Sequence, residues 1–215
     1  MRGSIRKSRE EHIIQNAQIV FFKKGFSNTS ISDICQLSSC SRTTLYTYFE
    51  SKENLFLAVV KKALDKFLYF FTEINIADLK GIKSVTKLAL AYLEFAETFP
   101  KHYQIIMDFQ SILWSINQDA ITTESHVAIK QSEKFNDVKN LAHLPFKLLT
   151  DVIRIGQEDE SINNKVSSKQ HMLNIWAYLK GNTDVYPIVE RLEVKNELLE
   201  DRKKMVVKMI EAMLI

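Results

Sequence analysis

The stretch from Ser41 to Lys52, SRTTLYTYFESK, brings together side chains suited to reading a nucleic acid. Arg42 can donate two parallel hydrogen bonds to O6 and N7 of guanine, and Thr43, Thr44 and Thr47 can donate or accept at base edges or lay a methyl on thymine. Tyr46, Tyr48 and Lys52 suit the flanks, where hydroxyl and ammonium groups reach phosphate oxygens and fix register. If the segment is helical, Leu45 and Phe49, four residues apart, face inward while Arg42, Thr43 and Thr47 face outward. The charge distribution points the same way. The formal net charge is +3, yet the first 62 residues hold 10 Lys and Arg against 5 acids, and the remainder hold 19 against 21. A cationic end on a near-neutral body is the footprint of a small terminal module that meets a polyanion, although charge alone fits a solvated basic face equally well.

Other chemistries find little support in the residues. Gly3, Gly25, Gly81, Gly156 and Gly181 are each isolated, so no glycine-rich phosphate loop is formed. Cys35 and Cys40 lack further Cys or His at zinc spacing and read as reduced, packed thiols. His102, His126, His143 and His171 are scattered, which argues against a metal, and no cofactor is expected. Glu158, Asp159 and Glu160 could form a general acid-base pair but fit a solvated turn better. No nucleophile-base constellation stands out, so an enzyme is not expected.

The elements that must position these side chains are helical. With only 5 Gly and 3 Pro in 215 residues, the turns that sandwiches, barrels and βα units require are missing, and an all-α chain follows. Ile13, Ile14, Ala17, Val20 and Phe21 recur at steps of three and four from Ser8 to Lys24, and Gly25 stops this first helix. Asn28-Thr29-Ser30 offers an N-cap for a short helix carrying Ile31, Ile34 and Cys35 inward, with Asp33 in its first turns. Ser38-Ser39 forms a turn, Ser41 caps a third helix, and Ser51 opens a long fourth one running toward Asn75. Helix, short helix, tight turn, short helix is the spacing of a helix-turn-helix unit.

The residues from Thr29 to Leu55, TSISDICQLSSCSRTTLYTYFESKENL, resemble the DNA-binding signature of the tetracycline-repressor (TetR) family of transcriptional regulators, most clearly at Ile34, Ser41, Thr44-Leu45-Tyr46, Tyr48-Phe49, Lys52 and Leu55. The family commonly has Gly where this chain has Ser39, and Val where it has Cys40, so a positive φ at Ser39 is less comfortable. The family often has Gly or Ala at the position of Thr43, which gives Thr43 a side chain that can reach a base. The resemblance implies residues 1–50 as the DNA-binding domain and 51–215 as a larger helical domain for ligand binding and dimerisation. It implies a DNA-contacting set of Thr29, Ser41, Arg42, Thr43, Thr44, Tyr46, Thr47, Tyr48 and Lys52. The function it implies is that of a dimeric repressor on a pseudo-palindromic operator in double-stranded DNA, released by a small molecule.

Beyond Asn75 the residues give patterns without a motif. Helices are expected from Gly81 to Phe99, through a segment interrupted or restarted at Pro145, from Ser168 to Lys180 before Gly181, and from about Tyr186 to Ile215, while Lys101 to Ile116 is an unusually apolar stretch, too apolar for a surface helix. Asn117 to Ser125 is polar and reads as a loop. For a small apolar or amphipathic inducer, the candidate lining is Phe67, Phe70, Tyr103, Met107, Phe109 and Trp114, although aromatic and Met residues more often simply fill a core. For a homodimer, the candidates are Leu173, Trp176, Val206, Met209, Ile210 and Met213, with packing inside one subunit as the alternative. The long helix from Ser51 is the expected lever between pocket and recognition helix. The start MRGSIRKSRE carries no apolar signal region and no span reaches membrane length, so a cytoplasmic protein without a membrane partner is expected. A helical enzyme with the aromatic-rich middle as its active site and a helical scaffold for partner proteins are the competing readings.

Overall fold

The computed structural model describes residues 2–74, 79–117, 123–191 and 202–215. Among these the chain forms ten α-helices and no strand. They are α1 (Arg2–Lys24), α2 (Ile31–Leu37), α3 (Arg42–Tyr46), α4 (Lys52–Thr72), α5 (Gly81–Thr98), α6 (Pro100–Asn117), α7 (Glu124–Gln131), α8 (Phe135–Glu158), α9 (Ser168–Arg191) and α10 (Arg202–Leu214).

Two compact units divide the chain: Met1–Lys66 with Lys101–Ala142, and Phe67–Pro100 with His143–Ile215. In the first, Ile13, Ala17, Ile34 and Leu45 are fully buried, one from each turn of the expected apolar stripes on α1, α2 and α3. Phe56 on α4 closes this core, its ring 5.7 Å from Phe21 edge-on and 4.5 Å from Phe26. A cut at residue 50 would pass through these contacts. α1 begins at Arg2, earlier than the Ser8 expected, because residues 3–9 are exposed and carry no apolar period to announce the extra turns. Its end is the one expected: Gly25 takes φ +74 and donates its N–H to the Phe21 carbonyl.

In the second unit α5 is the spine, with Val85, Leu88, Ala89, Tyr92, Leu93 and Phe95 buried and both α9 and α10 packed on it. Glycines decide how close α5 comes to α8. A Cβ on Gly81 would lie 2.1 Å from the Gly156 Cα, so neither position accepts a side chain without separating the helices. The acidic turn after α8 caps α5: Asp159 Oδ2 accepts from Gly81 N–H at 2.7 Å and Ser161 Oγ accepts from Ile82 N–H at 3.1 Å. Hydrogen bonds donated to Asp159 by Ser161 first, then by Gly81 N–H, hold its carboxyl below its ordinary pKa, which accounts for a residue the sequence left between a solvated turn and acid-base work.

Two expected boundaries move. α8 runs unbroken through Pro145, and α9 continues through Gly181 to Arg191. Gly181 has open space around it and is exposed, so it lowers helix stability by only about 1 kcal/mol without ending the helix. Ile175, Trp176, Leu179 and Thr183 keep the buried register across it. The helix expected from Tyr186 is therefore split between the end of α9 and α10, and its middle, 192–201, lies outside the described residues. Most of the loop expected from Asn117 to Ser125 does so too.

Candidate nucleic-acid interface

The recognition element is set by its caps. Ser30 and Asp33 form a reciprocal capping box at the start of α2: Asp33 N–H donates to Ser30 Oγ at 3.2 Å and Ser30 N–H donates to Asp33 Oδ2 at 2.9 Å. The Lys24 ammonium adds a 2.7 Å ion pair to Asp33. Lys24 first, then Ser30, lower the Asp33 carboxyl to about 2. α2 ends in a Schellman closure, with Ser39 N–H donating to the Gln36 carbonyl at 3.4 Å and Cys40 N–H to the Cys35 carbonyl at 3.1 Å. That closure needs a left-handed residue, and Ser39 supplies it at φ +48, the conformation in which the sequence made a serine uncomfortable. Ser41 then caps α3, its Oγ accepting from Thr44 N–H at 3.0 Å.

On α3, Leu45 is fully buried while Arg42, Thr43, Tyr46 and Thr47 are exposed. Inside and outside are thus divided along α3 as its four-residue spacing predicts. Arg42 is held by a hydrogen bond from its guanidinium to Ser32 Oγ on α2, which leaves further N–H donors of the fork for an outside partner. Ser41 and Thr44 spend part of their hydroxyl capacity on each other at 2.9 Å, and Thr47 donates to the Thr44 carbonyl at 2.7 Å. Tyr48 is half-buried, with the Arg6 guanidinium 6.0 Å above its ring.

Two residues of the expected DNA set are occupied within the protein. Thr29 is 3% exposed and its hydroxyl donates to the Gly25 carbonyl at 2.7 Å, so it fastens the α1–α2 turn. Lys52 is half-buried and donates to the Phe26 and Thr29 carbonyls at 3.2 and 3.1 Å, with its ammonium 4.5 Å over the Phe26 ring. Two of its three donors are therefore spent on that same turn. Two cations absent from the expected set approach the unit. Besides Arg6 on Tyr48, Arg9 donates to the Ser39 carbonyl at 3.4 Å and meets the turn from α1. The basic run of Arg2 to Arg9 was the available signal, but with no apolar period it could not be placed on a helix.

The residues expected to line a ligand cavity fall in different units. In the first, Tyr103 and Phe109 are buried, Met107 is half-buried and Trp114 is 63% exposed, so Trp114 stands outside that core. In the second, Phe67 is buried in an aromatic cluster, 4.7 Å from Phe71 and 4.8 Å from Phe95, and the half-buried Phe70 lies 5.7 Å from Phe95. Of the expected dimer residues, Trp176, Val206 and Ile210 are buried inside one subunit; the Trp176 ring lies 5.2 Å from Tyr92 and 4.2 Å from Phe146. Leu173 and Met209 are exposed and Met213 is half-buried. Among the described residues no group of three metal-ligating side chains occurs, and no helix is long and apolar enough to cross a membrane.

Residues 13–59 match the family model described as bacterial regulatory proteins, tetR family. The N-terminal module is thus similar to the tetR-family domain over those residues. Its match spans α1 from Ile13, the helix-turn-helix and the start of α4, including the Phe56 that closes the core. The HTH-type transcriptional regulator RutR of Escherichia coli (strain K12) is 33% identical over 97 residues, 44% of this chain and 44% of RutR, so the similarity spans less than half of that relative. Beyond the residues matched in sequence the likeness is one of fold. A TetR transcription regulator from Haloarcula marismortui superposes with a TM-score of 0.70 at 14% identity, covering 97% of this chain and 100% of that one. FadR from Bacillus subtilis, solved in complex with stearoyl-CoA, gives a TM-score of 0.66 at 13% identity over 95% and 99% of the two chains. The all-α fold expected from the residues, an N-terminal helix-turn-helix domain followed by a larger helical region, is thus that of tetR-family proteins.

Proposed function

We propose that this protein is a ligand-responsive transcriptional regulator that binds a pseudo-palindromic operator as a homodimer and represses until a small molecule releases it. The observation that carries the reading is the outward face of α3, where Arg42, Thr43 and Thr47 are exposed beside a buried Leu45. In this reading Arg42 and Thr43 read base edges, Ser41, Thr44 and Thr47 sit at the mouth of the groove, and Tyr46 and Tyr48 with Arg6 and Arg9 meet phosphates. Thr29 and Lys52 hold the α1–α2 turn in place, and the third ammonium donor of Lys52 is what remains for a phosphate. A five-residue recognition helix makes few contacts, and two-fold pairing supplies the second half-site. The dimer surface in this reading uses Leu173, Met209 and Met213, while Trp176, Val206 and Ile210 support it from within the subunit. The inducer in this reading is apolar or amphipathic and meets the region of Phe67 and Phe70 in the second unit. That FadR, of the same fold, is solved with stearoyl-CoA supports an acyl-bearing ligand as the first class to screen. A ligand favouring one conformation draws population from the other, with α4 as the lever to the recognition helix.

Fluorescence anisotropy with DNA from the gene's own upstream region tests the reading. Saturable retention of that DNA over scrambled competitor, weakened by salt, is expected. Equal binding of both sequences, or none, would sink it in favour of the scaffold reading.

A further inference from the structure

The Schellman closure that ends α2 has a consequence specific to this chain. In that motif the residue two beyond the cap and the residue three before it share a backbone hydrogen bond, and their side chains meet. Those two positions are Cys40 and Cys35, joined by the 3.1 Å bond from Cys40 N–H to the Cys35 carbonyl. Both thiols are free. Burial first, then the Cys40 thiol beside it and hydrogen-bonded to it, raise the Cys35 thiol above its ordinary pKa, and the Arg42 charge opposes them. Cys35 is 8% exposed and Cys40 is more open. A reagent therefore meets Cys40 first, with the buried Cys35 at the other end of the same backbone hydrogen bond. With no third metal-ligating side chain near them among the described residues, the pair does not make a metal site.

We propose that Cys35 and Cys40 form a dithiol modification site, oxidised by a hydroperoxide to a disulfide across the helix-turn-helix turn, and that the oxidised protein binds its operator less tightly. The second half rests on the operator reading above. In the first step the Cys40 sulfur attacks the terminal peroxide oxygen and the O–O bond breaks. The alkoxide leaves as an alcohol, or as water from hydrogen peroxide, taking the thiol proton, and Cys40 becomes a sulfenic acid. The Cys35 sulfur then attacks the Cys40 sulfur. The S–O bond breaks, and hydroxide leaves as water with the Cys35 proton. Two thiols give up two electrons, and one peroxide is reduced to one alcohol and one water. The new bond fixes the two sulfurs about 2.05 Å apart and ties Cys40 to α2. The next residue is Ser41, the cap of α3, so the constraint acts directly on the aim of Arg42 and Thr43.

The test uses the full chain, reduced and then exposed to hydrogen peroxide. Trypsin leaves both cysteines in one peptide, Gly25 to Arg42. That peptide is expected to lose about 2 Da and to resist alkylation until dithiothreitol is added. Oxidised protein is expected to bind upstream DNA about tenfold more weakly, reversibly, while Cys40→Val and Cys35→Ala keep full affinity in peroxide. Oxidation that stops at a sulfenic or sulfinic acid on Cys40, without the loss of mass, overturns the dithiol site whatever the DNA does. A disulfide formed with unchanged affinity overturns the regulatory half. Failure of the reduced protein to bind DNA brings down the operator reading, and the regulatory half with it, while the mass measurement still decides the site.

Discussion

Arg42 and Ser39 carry opposite burdens on either side of Ser41. Arg42 is exposed and held at one end by Ser32, so under the proposed operator reading its removal deletes a base contact without opening the core. Arg42→Ala is expected to weaken operator binding by about 1–3 kcal/mol and to relax preference at one base step, as read by anisotropy against single-position operator variants. Thermal stability stays unchanged, and a loss of stability equal to the loss of affinity would show that Arg42 is structural instead. Ser39 holds a left-handed backbone that glycine adopts without a steric penalty. Ser39→Gly relieves about 1–2 kcal/mol of steric cost and returns part of it as freedom of the unfolded chain, so a net gain of about 0.5–1 kcal/mol is expected in denaturant unfolding. Both effects were half-legible in the residues. The spacing of Leu45 and Phe49 assigned Arg42 outward, and the departure from Gly marked Ser39, but the use of Thr29 and Lys52 inside the protein was not visible. Which donors a lysine spends on carbonyls depends on a turn 23 to 26 residues away.

At the scale of elements, helix ends carry the charge-dependent part of stability. Asp33 titrates near 2 in the folded protein and near its ordinary value of about 3.9 when unfolded. Its support for α2 is therefore complete above pH 4 and is lost as pH falls through that window toward 2. Asp33→Asn should remove this acid dependence and lower the thermal midpoint at neutral pH; a wild-type curve no steeper than the variant's between pH 4 and 2 would remove the capping role. His102 runs the other way. Burial first, then Lys66, lower its pKa, and its ring meets Phe22 edge-on at 5.0 Å. The folded state prefers it neutral and the unfolded state takes up a proton below about 6.5, so the first unit loses stability as pH drops under that value. His102→Gln should flatten the fall, seen in thermal unfolding from pH 7.5 to 5.5. The α5–α8 approach is steric instead. Gly156→Ala places a methyl against the Ile162 side chain 2.5 Å away, an overpacking of about 1–3 kcal/mol in chemical denaturation.

For the whole molecule, the proposed homodimer turns on which apolar surface would meet a second copy. Ile210 has no exposure and Met209, its neighbour, is 43% exposed. Ile210→Ala should cost about 2–5 kcal/mol of stability yet leave the association state alone, whereas Met209→Glu should leave helix content intact and yield monomers that bind the operator weakly. Sedimentation velocity separates the two. A dimer that survives Met209→Glu moves the interface elsewhere.

What the residues determined by themselves was local: helix type from apolar period, helix ends from caps, and a helix-turn-helix from spacing that fixes many positions in one register. Each depends on neighbours within four residues, and for those the chain is its own template. Where a pattern was cut at Gly181 or Pro145, the structure continued it, since the buried stripe on the far side outweighs one weak residue. What only the tertiary structure decided was the use of faces. An apolar stripe on α10 serves a core or a partner equally well until α5 and α9 are seen to cover Val206 and Ile210, and an acidic turn reads as solvent until Asp159 is found capping α5. Burial is a property of pairs of segments far apart in the chain, and hydrophobic pattern reports only one member of each pair.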